Sequence, residues 1–327
     1  MKAIQIDRYG GPEMVQEREI AKPTPGPDEV LIKLAYSGIN FMDIHTRQGK
    51  YASSRTYPQS LPTTLGIEGA GIVEATGSDV AEFKVGDRVA YCLAWSSYAE
   101  FAAVPARRVV PVPDELSLEL AAGSLFHGLT AHYLVNDVGQ LAPGVTCLVH
   151  AASGGIGQLL IQLGIRAGAT VYAVTSTEQK IAAARKLGAT GAVLYDGFAD
   201  AVRDLTGGRG VDVVFDPIGK PTFRDSLRAA RTKGLIVSFG SVGGPIRDID
   251  PIELGEAGSL FLTRPRLADH IADAETMRRR ASDIFSAVID GSLSINIARH
   301  YTLDQATLAH DDLENRRTIG KPLMKIS

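Results

Sequence analysis

The sequence predicts an α/β fold, a doubly wound parallel sheet of six strands joined to a second, antiparallel β region. Three observations carry this. From Gly144 onward, short apolar runs alternate with helical stretches of roughly ten residues. A glycine-rich turn, HAASGGIG (150–157), separates the first run from the first helix. The residues before about position 120 lack this rhythm and break instead into short pieces divided by turn formers.

In chain order, AIQI (3–6), EVLIKLAY (29–36), AGIVEATG (70–77) and DRVAY (87–91) read as strands punctuated by PTPGP (23–27) and GSD (77–79). VTCLVH (145–150), bounded by Pro143-Gly144, has the length and composition of a buried strand. Behind it Ile156, Leu159, Leu160, Leu163 and Ala167 share one helical face, with Gln158, Gln162 and Arg166 on the other. The alternation continues through TVYAVTS (170–176), a helix over 178–187, AVLY (192–195), a helix over 198–205, VDVVFD (211–216), a helix near 221–230, LIVSFG (235–240) and SLFLT (259–263). Strands joined through helices require right-handed crossovers, and six of them predict a Rossmann order. After Pro265 the pattern predicts a helix over 269–289 and another over 304–315, then PLMKI (322–326) as a strand able to return to the first region.

Composition excludes several classes. A chain of 327 residues suggests two domains, and 45% apolar with 22% charged residues is enough for a buried core. A net charge of −3 argues against nucleic acid as a partner. Two cysteines, Cys92 and Cys147, cannot build a disulfide scaffold or a four-thiolate zinc site and suit a reducing, cytoplasmic compartment. Asp7 and Arg8 stand where an export signal needs its apolar run. The longest uncharged interval, 138–165, contains Pro143-Gly144, His150 and Gly154-Gly155-Ile156-Gly157, so it reads as strand, turn and buried helix rather than a membrane span.

HAASGGIG sits where a strand passes into a helix, the context in which small residues let backbone N–H groups approach a pyrophosphate. Ala152 replaces the first glycine of the strict G-x-G-x-x-G pattern, and Gly154 and Gly157 hold the other two places. An NAD-preferring site would put Asp or Glu at the end of the second strand, but that strand ends Val174-Thr175-Ser176. Ser176 and Lys180 offer a hydroxyl and a cation suited to a 2′-phosphate, so NADPH is the expected cofactor. Other signals are weaker. The seven histidines lack zinc-ligand spacing, Arg278-Arg279-Arg280 reads as a solvated helix face, and Ser153 lacks a G-x-S-x-G elbow.

YGGPE (9–13), SGINFMDIHTRQGKY (37–51), LGIEGAGIVEATGSDV (65–80), VGDRVAY (85–91), HAASGGIG, VVFDPIG (213–219), VSFGS (237–241), SLFLTRP (259–265) and the tail from His310 to Lys321 together resemble the medium-chain dehydrogenase/reductase superfamily. Within it, the resemblance is to the zinc-free quinone oxidoreductases related to zeta-crystallin. It implies a GroES-like β-barrel catalytic domain from both chain ends (1–123 and 265–327) and an inserted Rossmann domain (124–264). It also implies Asn40 near nicotinamide and substrate, Thr130 near the nicotinamide or adjoining phosphates, and Gly154, Gly155 and Ile156 on the pyrophosphate. Ser176, Lys180, Tyr195 and Arg316 would surround the 2′-phosphate, Phe239, Gly240 and Ser241 would line the cofactor, and Leu262 and Thr263 would approach the nicotinamide amide. Zinc members carry a Cys early in the barrel and a His before the Glu of G-H-E. This chain has Ser37-Gly38-Ile39-Asn40 and Gly66-Ile67-Glu68, so no metal is expected.

Without a Lewis acid, the expected substrate already accepts hydride readily, a quinone or an α,β-unsaturated carbonyl. Tyr51 is the candidate donor orienting it, since a phenol can donate while its ring covers a planar molecule. Three functions follow: NADPH-dependent quinone reduction, enoyl or alkenal double-bond reduction with Tyr51 as proton donor, and, disfavoured by charge, a structural or RNA-binding role. SLFLT at the sheet edge suggests a homodimer paired through that strand.

Overall fold

The computed structural model describes residues 1–327, and both chain ends enter one of its two units, Met1–Leu129 with Ile271–Ser327; the other unit is Thr130–His270. In the first unit β1 (Lys2–Ile6) pairs antiparallel with β2 (Gln16–Glu19). β3 (Glu29–Gly38) turns Val30, Ile32 and Leu34 into one core cluster, with Leu31 buried as well, and its pairing with β5 shifts register after Leu31 and Leu34. It leads into α1 (Phe41–Arg47), whose first turn is closed by the Asp43 carboxylate accepting the Asn40 N–H at 2.8 Å. β4 (Thr63–Thr64) pairs with β1, and β5 (Glu68–Thr76) with β3. β6 (Arg88–Cys92), β7 (Phe101–Pro105) and β8 (Val109–Pro111) complete the N-terminal strands, β7 lying against β3. α2 (Leu118–Tyr133) then leads into the second unit.

That unit contains β9 (Thr146–Val149), α3 (Gly155–Arg166), β10 (Thr170–Thr175), α4 (Glu178–Lys186), β11 (Gly191–Leu194), α5 (Phe198–Leu205), β12 (Val211–Asp216), α6 (Phe223–Ala229), β13 (Ala230–Ser238), α7 (Pro251–Glu256), β14 (Phe261–Thr263) and α8 (Leu267–His270). The sheet order is β11-β10-β9-β12-β13-β14, every pairing parallel. This is the expected Rossmann order. Leu148, Val174, Val214 and Ile236 from four neighbouring strands pack with Phe198 and Phe223 from the helices in one core cluster. β13 starts five residues earlier than the apolar pattern predicts, with a register shift between Val211 and Val213.

The chain returns through α9 (Ala274–Ile289), β15 (Ile297–Tyr301), α10 (Ala306–Glu314) and β16 (Lys321–Lys325). β16 pairs antiparallel with β3, placing Leu323 opposite Gly38, so the expected returning strand closes the first unit. Two expectations are corrected. The helix predicted over 269–289 is two helices, because Asp273 accepts the Thr276 N–H at 2.7 Å and caps a fresh start. The triple arginine is not a solvated face. Arg280 is buried, and Arg278 lies over the Phe83 ring while bonding the Val109 and Ala106 carbonyls, leaving Arg279 exposed.

Candidate active site

The glycine-rich turn is built at the carboxyl end of β9. Ala151 adopts a left-handed backbone (φ 49°), its N–H donates to the Tyr195 hydroxyl at 2.8 Å, and its carbonyl accepts the Gly154 N–H at 2.9 Å. Gly154 is extended and caps α3 without a side chain. A Cβ on Gly157 would sit 2.3 Å from the Ala151 carbonyl oxygen and 2.7 Å from the Ala152 Cα, so only glycine lets the helix start this close to the strand. The first N–H groups of α3 have no intrahelical acceptor and carry the positive end of the helix dipole.

β10 ends at Thr175, and Thr177 caps α4 by accepting the Lys180 N–H. The Lys180 ammonium donates to the exposed Ser176 hydroxyl at 3.3 Å, so these two groups meet at a strand end without a carboxylate. Tyr195 follows β11, Phe239, Gly240 and Ser241 follow β13, and Leu262 and Thr263 pair with Ile236 and Val237. Arg264 bonds the Ser238 and Gly240 carbonyls, at 2.6 and 3.0 Å. These segments therefore share the carboxyl edge of the parallel sheet, where doubly wound folds take ligands. Thr130 is buried in α2. Arg316 lies in the other unit, in a left-handed turn after α10, and is not brought to Ser176 and Lys180 within one unit. The amide-lined turn and the hydroxyl–ammonium pair fit a phosphorylated dinucleotide.

In the first unit, Asn40 belongs to a buried polar centre. The Lys321 ammonium donates to Asn40 Oδ1 at 2.7 Å and to Glu68 Oε2 at 2.6 Å, and lies 3.5 Å from His127 Nε2. Asn40 Nδ2 donates to Glu68 Oε2 and the Gly38 carbonyl, both at 3.2 Å, while Glu68 Oε1 accepts the Phe126 N–H at 2.6 Å. Both amide hydrogens of Asn40 are thus used inside the protein, and its carbonyl oxygen is oriented by a cation. A Cβ at Gly38 would sit 2.1 Å from the Glu68 carboxylate, so this glycine admits the ion pair.

Beneath it, Asp43 Oδ2 also accepts the Tyr98 hydroxyl at 3.1 Å; burial pushes the Asp43 carboxyl up to about 7. Tyr98 and His310 face each other, and burial with the neighbouring Arg47 guanidinium holds His310 down at about 3. Burial first, then the Lys321 charge, keeps His127 well below its ordinary value. Arg47 pairs with Glu314 at 2.7 Å. Sequence reasoning singled out Asn40 here but missed Glu68, Lys321, His127 and Asp43. Tyr51 follows α1 in an aromatic group, edge-on to Tyr57 and His45, with centroids at 5.5 and 6.2 Å. No three His, Cys, Asp or Glu side chains form a group able to hold a metal ion, and Ile67 is buried.

A Rossmann unit with a nucleotide turn and a β unit closed by both chain ends together define a medium-chain dehydrogenase/reductase. The family models agree: residues 26–114 match the alcohol dehydrogenase GroES-like domain, and 155–276 match the zinc-binding dehydrogenase domain. The chain is 37% identical to the quinone oxidoreductase of Pseudomonas aeruginosa over 326 residues, 99% of each chain. It is 36% identical to a 2-haloacrylate reductase from Burkholderia sp., over 97% of each. The crystal structure of Escherichia coli quinone oxidoreductase complexed with NADPH superposes with a TM-score of 0.96 at 34% identity, covering 99% of this chain and 100% of that one. The chain belongs to the zeta-crystallin-like quinone oxidoreductase family.

Proposed function

We propose that this protein is a zinc-independent, NADPH-dependent quinone reductase. The observation that carries the reading is the end of β10, where Ser176 and Lys180 meet in place of a carboxylate. The P. aeruginosa and E. coli relatives, named as quinone oxidoreductases, support it, as does the NADPH complex of the latter. NADPH, when bound, supplies the hydride.

The chain's residues bind and orient. The amides of Gly155 and Ile156 take the pyrophosphate at the turn that Gly154 caps, and Ser176 and Lys180, joined by Tyr195, take the 2′-phosphate. Thr130, Phe239, Gly240, Ser241, Leu262 and Thr263 line the rest of the cofactor. Asn40, held by Lys321 and Glu68, offers its carbonyl oxygen toward nicotinamide, and Tyr51 orients the acceptor. Zinc independence is supported by Asn40 and Ile67 at the ligand positions and by a lysine ammonium already neutralising Glu68. β14 ends the six-stranded sheet with Phe261 exposed, which supports a homodimer paired along that edge. No helix is long and apolar enough to cross a membrane, and two buried free cysteines suit the cytoplasm.

A second reading, reduction of an activated double bond, draws on the 2-haloacrylate reductase relative. Anaerobic NADPH oxidation with a small quinone and a simple enone side by side, with NADH as control, tests both. A rapid, NADPH-selective quinone rate is expected. Enone preference supports the second reading, and no turnover with either refutes both.

A further inference from the structure

We infer that Arg47 is a positioning residue for the acceptor site: its buried guanidinium fastens both ends of α1, the helix that Asn40 opens and Tyr51 follows, and so sets where those two side chains stand relative to each other. The inference rests on the roles proposed above for Asn40 and Tyr51 and deepens them by naming what holds the two groups in register.

A charged side chain that water does not reach must find its partners inside the protein, and Arg47, the last residue of α1, has no exposed surface. Its Nη2 donates to Glu314 Oε2 at 2.7 Å, and Gln48 Nε2 donates to Oε1 of the same carboxylate at 2.9 Å. The end of α1 is thereby tied to the end of α10 by two consecutive residues. The main chain of Arg47 is engaged as well, its carbonyl accepting the Gly10 N–H at 2.9 Å, and the Tyr9 ring lies directly against Gly49. From this anchored point the chain turns back on α1, the Gly49 and Lys50 N–H groups donating to the Thr46 and His45 carbonyls, each at 2.9 Å. Tyr51 follows at once, with its ring edge-on to His45 of the same helix.

The other end of α1 is reached through three buried side chains. Arg47 Nη1 lies 3.3 Å from His310 Nδ1. A guanidinium has only hydrogens to give, so Nδ1 accepts and the proton of the imidazole, held neutral at about 3, is assigned to Nε2. Nε2 faces the Tyr98 hydroxyl at 3.4 Å, and that hydroxyl donates to Asp43 Oδ2 at 3.1 Å. Asp43 Oδ2 is the oxygen that accepts the Asn40 N–H at 2.8 Å and closes the first turn. All the donors run one way, from Arg47 to the helix cap, and Asp43, Tyr98 and His310 have no exposed surface. One guanidinium therefore holds the end next to Tyr51 directly and the end next to Asn40 through His310, Tyr98 and Asp43.

A purely structural pair would lower stability and leave the chemistry of the folded molecules unchanged. Positioning predicts a loss confined to the acceptor step. Arg47→Lys keeps the charge but lacks the planar fork that spans Glu314 and His310 together. For the variant shown to be folded by circular dichroism, kcat/KM for a small quinone should fall about tenfold or more, the scale of a site group displaced by a fraction of an ångström. The Kd for NADPH, read by fluorescence titration, should stay within about twofold of wild type. In the Tyr51→Phe background the loss caused by Arg47→Lys should shrink by about threefold or more, because one of the groups it positions no longer acts.

Glu314→Gln keeps the inference testable if Arg47→Lys folds poorly, since this side chain is one quarter exposed and the amide still offers an acceptor. It should lower kcat/KM about threefold at unchanged NADPH affinity. Hydrogen exchange at the Asn40 and Lys50 amides should quicken in both variants, while the paired amides of β3 and β5 keep their protection. Unchanged kcat/KM in a folded variant overturns the inference. So does a loss of the same size with and without the Tyr51 hydroxyl, or a fall in NADPH affinity that accounts for the lost rate. Wild type that binds NADPH but reduces neither quinone nor enone refutes the acceptor reading and the positioning role with it, whereas wild type that turns over beside variants that lose nothing refutes the positioning role alone.

Discussion

Replacing Lys321 by Met keeps most of the aliphatic stem and removes the ammonium from the buried centre. Glu68 is then a carboxylate with no solvent exposure and no counter-charge, and Asn40 Oδ1 loses its donor. Removing one partner of a buried ion pair costs about 3–5 kcal/mol, because the surviving charge is uncompensated. Glu68 keeps two donors, the Phe126 N–H at 2.6 Å and Asn40 Nδ2 at 3.2 Å, which places the expected loss near the lower end, about 3 kcal/mol. Urea unfolding followed by circular dichroism and by the fluorescence of Trp95, the single tryptophan, reads it. Trp95 lies in the same unit as the ion pair, so coincidence of the two signals tests whether that unit unfolds with the rest. The double variant Glu68→Gln/Lys321→Met removes both charges and should recover at least about half of the single loss, a coupling of about 1.5 kcal/mol or more. A single loss under about 1 kcal/mol, or effects of the two substitutions that simply add, would refute the claim that this pair organises the centre.

Ser176→Ala and Lys180→Ala should each weaken NADPH binding by about tenfold and leave NADH unchanged, measured by titration; equal loss for both nucleotides would remove the pair from 2′-phosphate recognition. Gly157→Ala forces a Cβ into the Ala151 carbonyl and should lower stability by about 1–3 kcal/mol while abolishing detectable nucleotide binding, checked by calorimetry on the same sample. Acid stability has a definite sign. His127, His150 and His310 are all lowered, so the unfolded chain takes up protons the native state refuses, and stability falls as pH drops from about 6.5 toward His310's value of about 3. Asp43, raised to about 7, acts oppositely, the native state keeping a proton that the unfolded chain releases above about 4. Asp43→Asn should therefore steepen the fall of unfolding free energy, read by urea titration between pH 6.5 and 4, by up to about 1.4 kcal/mol per pH unit; a shallower profile contradicts the assignment. Phe261→Lys places a charge on the exposed β14 edge and should shift a sedimenting dimer to monomer. Wild type sedimenting as a monomer refutes that interface.

What could be read from the sequence follows from how local each constraint is. The nucleotide turn announces itself because strand, small residues and helix are contiguous, and the crowding at Gly157 is a property of eight consecutive positions. The returning strand was legible because PLMKI is apolar enough to need a sheet. Tyr195 was named for a neighbouring phosphate, yet its bond to Ala151 crosses 44 residues and has no local signature. The polar centre is harder still, since Glu68 and Lys321 are separated by 253 positions and each is ordinary alone. There was one usable signal. Glu68 stands among small apolar residues in GIEGAGIV, and Lys321 opens an apolar closing strand. A charged residue in a strand bound for the core must find a partner, so two such strands with opposite charges predict each other. Arg278 and Arg280 defeated the charge-run rule for the complementary reason. A guanidinium can satisfy backbone carbonyls and cover an aromatic ring, so a run of arginines on a helix facing β8 and Phe83 becomes packing material. The buried Glu68–Lys321 pair holds the Asn40 amide in one orientation, and the Tyr195 hydroxyl accepts the Ala151 N–H across the glycine-rich turn. In both units, then, a long-range polar contact fixes a backbone or amide group that the local motif only makes possible.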